Sequence, residues 1–357
     1  GCAVIEGYVN IDTRNASNVD SLIQITLIQG DLQMSENNIT DLTGFANLTG
    51  IYGNAWFSEN SFSSFHGMDS LGFVGGTLGI SESYGLNSLD GLQNLTLIGG
   101  DLDLEDNSNL VNIDALSGLD SLGGSLLLED LPRLQHLDAL LGREIIYGAL
   151  VVDGLDSLLN LNGLLSIQHV ESTLKIKKNM LLPTLEGLAN IQSINGELIL
   201  AQNDALTSLT GIDSISPTSI TDLTLLNNEN LNSCSLGNIC SYLTNNIGPA
   251  TIELNAEGCN TENEITDACA PVGINDMAAE ATIEIYPNPS AGELTIQWLG
   301  SKETHDVILI DSWGRESMRF NNVANGSVLD LDVAPGFYTL ALKTAHEFST
   351  QKLQVLR

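Results

Sequence analysis

Eleven times in residues 1–254 a small residue is followed by the pattern x-apolar-x-apolar. The small residues are Gly7, Gly30, Gly53, Gly76, Gly100, Gly124, Gly148, Ser172, Gly196, Thr221 and Ala250, spaced 23, 23, 23, 24, 24, 24, 24, 24, 25 and 29 apart. A period this regular predicts a solenoid, because a coil of that length buries its apolar face only against its neighbours. The apolar pairs run from Val9/Ile11 and Leu32/Met34 through Leu102/Leu104 to Leu223/Leu225 and Ile252/Leu254. Period-two alternation is what a half-buried strand requires, so each coil should add one short strand to a parallel sheet with rungs about 4.8 Å apart. A second apolar series follows at spacing three, as in Leu86, Leu89, Leu92, Leu95 and Ile98. That spacing suits extended or 3₁₀ segments turning corners better than an α-helix. The expected fold is mainly β, a leucine-rich right-handed β-solenoid of about eleven coils of 23–25 residues with little helix.

Three residues after the second apolar residue of each pair runs a polar column, Asn37, Asn60, Ser83, Asn107, then Leu131 and Leu155, then Asn179, Asn203 and Asn228. Stacked asparagines at a corner can bond backbone groups of adjacent coils that strand pairing leaves unmatched. The two leucines predict that the middle coils close the same corner by apolar contact. The consensus G-x-L-x-I-x-x-N-x-x-L-x-x-L-x-G-L-x-x-L-x-x-I-G, clearest from Gly76 to Leu128, resembles the leucine-rich repeat superfamily in its receptor L-domain type. The resemblance spans about 270 residues and implies a binding scaffold without naming a ligand.

Cys2 opens the chain, and Cys234, Cys240, Cys259 and Cys269 cluster at the end of the repeats. A terminal coil exposes one apolar face, so cysteines confined there predict a disulfide-stapled cap over residues 234–269 and an oxidising compartment. Four cysteines allow three pairings. Aligning the coils favours Cys234–Cys259 and Cys240–Cys269. Zinc is the rival, but no C-x₂-C pair and no nearby histidine support it. Cys2 has no obvious partner; the expectation is a processed or truncated chain whose matching cysteine lies upstream.

After residue 270 the repeat ends. Residues 271–282 have linker composition, and a different alternation fills 283–357, where Glu293–Trp298, Asp306–Asp311 and Phe337–Leu342 read as strands of a small antiparallel, immunoglobulin-like β-sandwich. Tyr286-Pro287-Asn288-Pro289-Ser290 followed by Gly292-Glu293-Leu294, then Val307–Asp311 followed by Gly314-Arg315, then Pro335-Gly336-Phe337-Tyr338 and a basic-apolar end, resemble the three motifs of the type A C-terminal sorting domain of type IX secretion, a Bacteroidota pathway. The resemblance implies recognition of residues 283–357 by that secretion machinery and export to the extracellular space or the outer-membrane surface. Function then lies in residues 1–270.

The chain carries 45 acidic and 12 basic residues, a net charge of −33; residues 283–357 hold 9 and 6 of these, leaving 36 and 6 before them. Such a field repels nucleic acid and anionic membrane, and no apolar run reaches transmembrane length. Glu36, Glu59, Glu82, Glu105, Asp106, Glu129, Asp130 and Asp153 form an acidic ridge after the strands, ending at Lys177 and Lys178. A solvated rim is the simple reading. Calcium, held by several of Glu59, Glu82, Glu105, Asp106, Glu129, Asp130 and Asp153, is the alternative; otherwise no cofactor is expected. The outward strand positions read Asn10, Gln33, Trp56, Gly79, Asp103, Leu127, Val151, Lys175, Ile199, Thr224 and Glu253. Solvent-facing positions should be polar, so Trp56, Leu127, Val151 and Ile199, with Asp103 and Lys175 between them, mark a candidate binding face.

Catalysis finds little purchase. His66, His136, His169, His305 and His346 are isolated, and the nucleophile-elbow, phosphate-loop and dinucleotide signatures are absent. The repeats also lack the long inserted loops that a catalytic coil carries. The sequence therefore predicts a secreted, non-enzymatic surface protein that binds a protein or glycan. A passive surface-coat component is the alternative, and a carbohydrate-active β-helix enzyme comes third.

Overall fold

The computed structural model describes residues 3–12, 16–269, 283–298, 304–311, 315–343 and 348–356. The expected linker, Cys2 and Gly314 lie outside them. The chain divides into two compact units, Gly1–Ala270 and Pro271–Arg357.

Eleven parallel strands follow chain order across one wide sheet of the first unit, from Val9–Asp12 and Leu32–Ser35 to Ile220–Leu226 and Ala250–Glu253. Their register repeats the sequence period, with Leu78 beside Leu102, Leu102 beside Leu126 and Leu126 beside Leu150. Alternate side chains enter a single apolar core that runs from Val19 to Ile265. The spacing-three series forms short 3₁₀ turns such as Thr43–Phe45, Asp138–Leu140 and Glu186–Leu188. The last repeat departs from the expectation. Thr224 pairs with Thr251, and Leu225 with Ile252, so the inward pair is Ala250/Ile252 and the outward residue is Thr251, not Glu253. Leu254 is 62% exposed. The aligned small residue is Gly248, because the longer loop holding the helix Gly237–Thr244 shifts the count.

The polar column is a buried hydrogen-bonded ladder, interrupted at Leu131 and Leu155. Asn179 N–H donates to Asn203 Oδ1 at 3.1 Å, Asn203 N–H to Asn228 Oδ1 at 3.0 Å, and Asn228 N–H to Asn255 Oδ1 at 3.0 Å. Each Nδ2 meanwhile reaches back to a strand carbonyl of the preceding repeat: Asn179 to Val152, Asn203 to Ile176 and Asn228 to Leu200, all at 2.9 Å. One amide thus satisfies both a donor and an acceptor of the preceding repeat, at the corner where the wide sheet's pairing ends. Leu131 and Leu155 are fully buried in the same column, and Leu155 N–H still donates to Asn179 Oδ1 at 3.1 Å.

Immediately before this ladder the backbone turns through the left-handed region. Glu36, Glu59, Glu82, Asp106, Asp130, Lys178, Gln202 and Asn227 hold φ between 47° and 57°, and Gly154 occupies the same place at 75°. Glutamate, glutamine and lysine have no intrinsic preference for that conformation, so the ladder that follows must hold it.

A narrower sheet backs the core. Six two-residue strands, Val4–Ile5 to Ser121–Leu122, pair in order; three more, Ile145–Ile146, His169–Val170 and Ser193–Ile194, form a separate sheet. Arg143 lies at the interruption. Its guanidinium, 6% exposed, donates to the carbonyls of Leu119 at 2.5 Å, Ala139 at 3.2 Å and, more weakly, Leu116 at 3.5 Å. A buried cation supplies donors where pairing between repeats fails, and burial lowers its pKa from the ordinary arginine value.

The repeats end in a cap. Cys234 is joined to Cys259, and Cys240, in the helix Gly237–Thr244, to Cys269, in the helix Glu262–Cys269. These are the pairs that the alignment of repeats favoured. The fully buried Tyr242 donates its hydroxyl proton to Pro249 O at 2.7 Å.

In the second unit, a three-stranded antiparallel sheet (Ile283–Tyr286, Glu293–Trp298, Val328–Asp330) and a four-stranded one (Glu316–Val323, His305–Asp311, Gly336–Lys343, Phe348–Val355) share one core.

Replacing Asn203 by alanine leaves Asn179 N–H without its partner in the interior and removes one donor from Ile176 O. Thermal and chemical denaturation should show a loss of about 1–3 kcal/mol. An equivalent change at the exposed Asn190, whose amide reaches only Leu165 O, should cost about 1 kcal/mol or less.

Candidate binding face

The wide sheet brings the candidate residues into one outward column. Trp56 pairs with Gly79, Gly79 with Asp103, Asp103 with Leu127, Leu127 with Val151, Val151 with Lys175, and Lys175 with Ile199. They are not equally accessible. Trp56 is 39% exposed, and Leu127, Lys175 and Ile199 are half-buried. Val151 is only 7% exposed, so it supports the face from beneath rather than offering itself to a partner.

A cation stands across the middle of the face. Lys175 Nζ lies 2.6 Å from Asp153 Oδ2 and 3.4 Å from Glu129 Oε2, and Lys178 Nζ lies 3.8 Å from Asp153 Oδ1. Burial pulls the Lys175 pKa down, but the hydrogen bond and charge of Asp153, together with Glu129, outweigh it and hold the amine above the ordinary lysine value. Asp103 lacks such a partner. Burial, then repulsion from Glu129 and Asp101, raises its pKa; Glu105 is raised by burial and by Asp103, Asp106, Glu129 and Asp130.

The acidic ridge resolves into two columns. Glu59, Glu82, Asp106 and Asp130 occupy the left-handed position, whereas Glu105, Glu129 and Asp153 are the last residues of their strands. Among the described residues no three acidic, histidine or cysteine side chains come together as a metal site.

Gly79 is the feature that the outward column conceals when each position is read alone. It faces outward yet is buried, and a Cβ added to it would collide with the six-membered ring of Trp56. The indole therefore lies across the neighbouring strand. A tryptophan and a glycine at the same place in successive repeats carry that signal in the sequence.

In the second unit the opening motif is bound to the final strand. Asn288 Nδ2 donates to Lys352 O at 2.8 Å, and Gln354 N–H donates to Asn288 Oδ1 at 3.0 Å. Ser290, fully buried, donates through its hydroxyl to Glu293 O at 2.7 Å. Tyr286 and Pro287 remain exposed beside them. Arg315 meets the Asp311 carboxylate through its backbone N–H and its guanidinium, each at 2.9 Å, and the Tyr338 hydroxyl donates to Ala334 O at 2.7 Å, just before Gly336.

Residues 284–356 match the model of the secretion system C-terminal sorting domain. That tail implies type IX secretion and export out of the cell. Residues 1–66 match the Receptor L domain model, which suggests ligand binding. The match covers the first repeats, while the same strand register continues to Glu253. No curated protein matches the chain. No helix among the described residues is long and apolar enough to cross a membrane.

A carboxyl whose pKa is raised in the folded state weakens that state at neutral pH, and the weakening is relieved as pH falls through the raised value. Asp103→Asn should therefore stabilise the protein at pH 7, by less than about 1 kcal/mol after solvent screening. The gain should vanish as pH approaches the ordinary aspartate value of 3.8. Melting curves of both proteins across that range measure it.

Proposed function

We propose that this chain is a secreted, non-enzymatic binding or adhesion protein at the cell surface. Its leucine-rich repeats form a right-handed β-solenoid that presents the outward face of the wide sheet to a protein or glycan, without a cofactor. The second unit, an immunoglobulin-like sandwich, carries it to the type IX machinery. The observation that supports this reading is the column from Trp56 to Ile199, where the accessible apolar side chains of Trp56, Leu127 and Ile199 share one sheet face with Asp103 and Lys175. Rigid, evenly spaced strands suit recognition, because side chains held at fixed intervals lose little entropy on binding. The close pairing of Lys175 with Asp153 and Glu129 is also that of a structural ion pair rather than of groups free to move protons.

Immobilised full-length protein should capture a specific partner from a cell-surface extract, and Leu127→Glu with Ile199→Glu should abolish the capture. Equal capture by both proteins would favour a passive coat component. For export, a reporter fused to residues 283–357 should reach the medium or the cell surface in a strain with an intact type IX system. It should remain inside when that system is disabled.

A further inference from the structure

Within the described strands of the wide sheet, Trp56 is the only aromatic residue on the outward face. Its indole lies over Gly79, whose missing side chain makes room for the ring. Glycine inside a strand weakens pairing and marks a place of close approach. Here the group that approaches is the indole itself, and Trp56 stays 39% exposed.

The surroundings of the ring are small and polar. Ser35, Ser58 and Ser81 run along one side at one-rung intervals, all half-buried. Exposed Gln33 precedes Trp56 in the column, and half-buried Asp103 follows Gly79. On the far side Asn54, Thr77 and Asp101 are committed to the backbone. Asn54 Oδ1 accepts Thr77 N–H at 2.8 Å, Thr77 Oγ1 accepts Asp101 N–H at 3.2 Å, and Asp101 Oδ1 accepts Ser125 N–H at 2.6 Å. These bonds hold the sheet rigid beneath the ring.

We infer that Trp56 on Gly79 is a stacking platform for a neutral pyranose, with Gln33, Asp103 and the serine row as its hydroxyl-binding rim. The inference rests on the wide sheet being the recognition face and names a ligand class for its N-terminal half. A pyranose has a flat face of C–H bonds that packs on an indole, and equatorial hydroxyls that seek amide and carboxylate partners around it. A protein partner is less suited here, because a protein hot spot needs an apolar collar to exclude water, and this collar is serine, glutamine and aspartate. The sign of the charge decides the rest. Asp103 and the excess of carboxylates across the repeats repel uronates and sulfated sugars.

The test applies the full-length protein to an array of neutral glycans, followed by calorimetry with soluble gluco-, manno-, xylo- and galacto-oligosaccharides and polygalacturonate as the anionic comparator. At least one neutral oligosaccharide should bind and polygalacturonate should not. Trp56→Ala and Gly79→Val, the second by lifting the ring from the sheet, should each weaken binding about tenfold or more. Trp56→Phe should retain most of it, and Tyr147→Ala, which removes an exposed aromatic outside the wide-sheet strands, should change nothing. Melting curves of each variant separate lost binding from lost structure. Absence of any neutral ligand, or binding kept within about twofold by both Trp56→Ala and Gly79→Val, overturns the platform. If saccharides fail while extract capture still depends on Leu127 and Ile199, only the platform falls. If capture fails as well, so does the recognition face.

Discussion

The buried asparagine ladder is the interaction on which the first unit depends. Parallel strands of four residues end abruptly, and each end leaves a donor and an acceptor facing the interior. Asn60, Asn107, Asn179, Asn203, Asn228 and Asn255 all send Nδ2 to a strand carbonyl of the preceding repeat. No hydrocarbon side chain can do that. With the ladder in place, the left-handed residue before it can be almost anything, which is why glutamate, aspartate, lysine and glutamine all occupy that position. Surface charge is then free to vary without cost to the corner.

Where the regular pattern is interrupted, the structure substitutes other chemistry. Leucine fills the ladder at two successive repeats, exchanging hydrogen bonds for apolar contact. In the same region the narrow sheet divides, and the Arg143 guanidinium supplies donors to carbonyls of Leu119 and Ala139. At the end of the repeats, two helices and two disulfides cover the apolar face that a further strand would have covered. Each device meets the same need, which is that no backbone group or apolar edge be left in the interior unmatched.

The wide sheet is unlike along its length. Its N-terminal half is polar apart from one indole, while its C-terminal half carries Leu127 and Ile199 on either side of Lys175. Lys175 spans Asp153 and Glu129 and neutralises the carboxylates nearest the apolar residues. Asp103, without such a cation, is left with a raised pKa beside Gly79.

The strand positions, their parallel order, the asparagine column and the cysteine pairs were legible in the sequence, because a backbone hydrogen-bonding period imposes itself on every repeat. The same counting misplaced Leu254 and Glu253, since an inserted helix breaks the period and only strand register restores the alignment. Sequence likewise grouped Val151 with Leu127 and Ile199, but burial separates them. It merged two acidic columns into one ridge, because residues adjacent in the chain point in different directions once the backbone turns left-handed. Composition and periodicity thus determined what the repeats are made of and how they follow one another. The lie of the indole over Gly79, the capture of Asp153 by Lys175 and the carbonyls held by Arg143 were decided by tertiary structure. Those contacts join neighbouring repeats in space, and their strength depends on distance and burial, which spacing along the chain does not record.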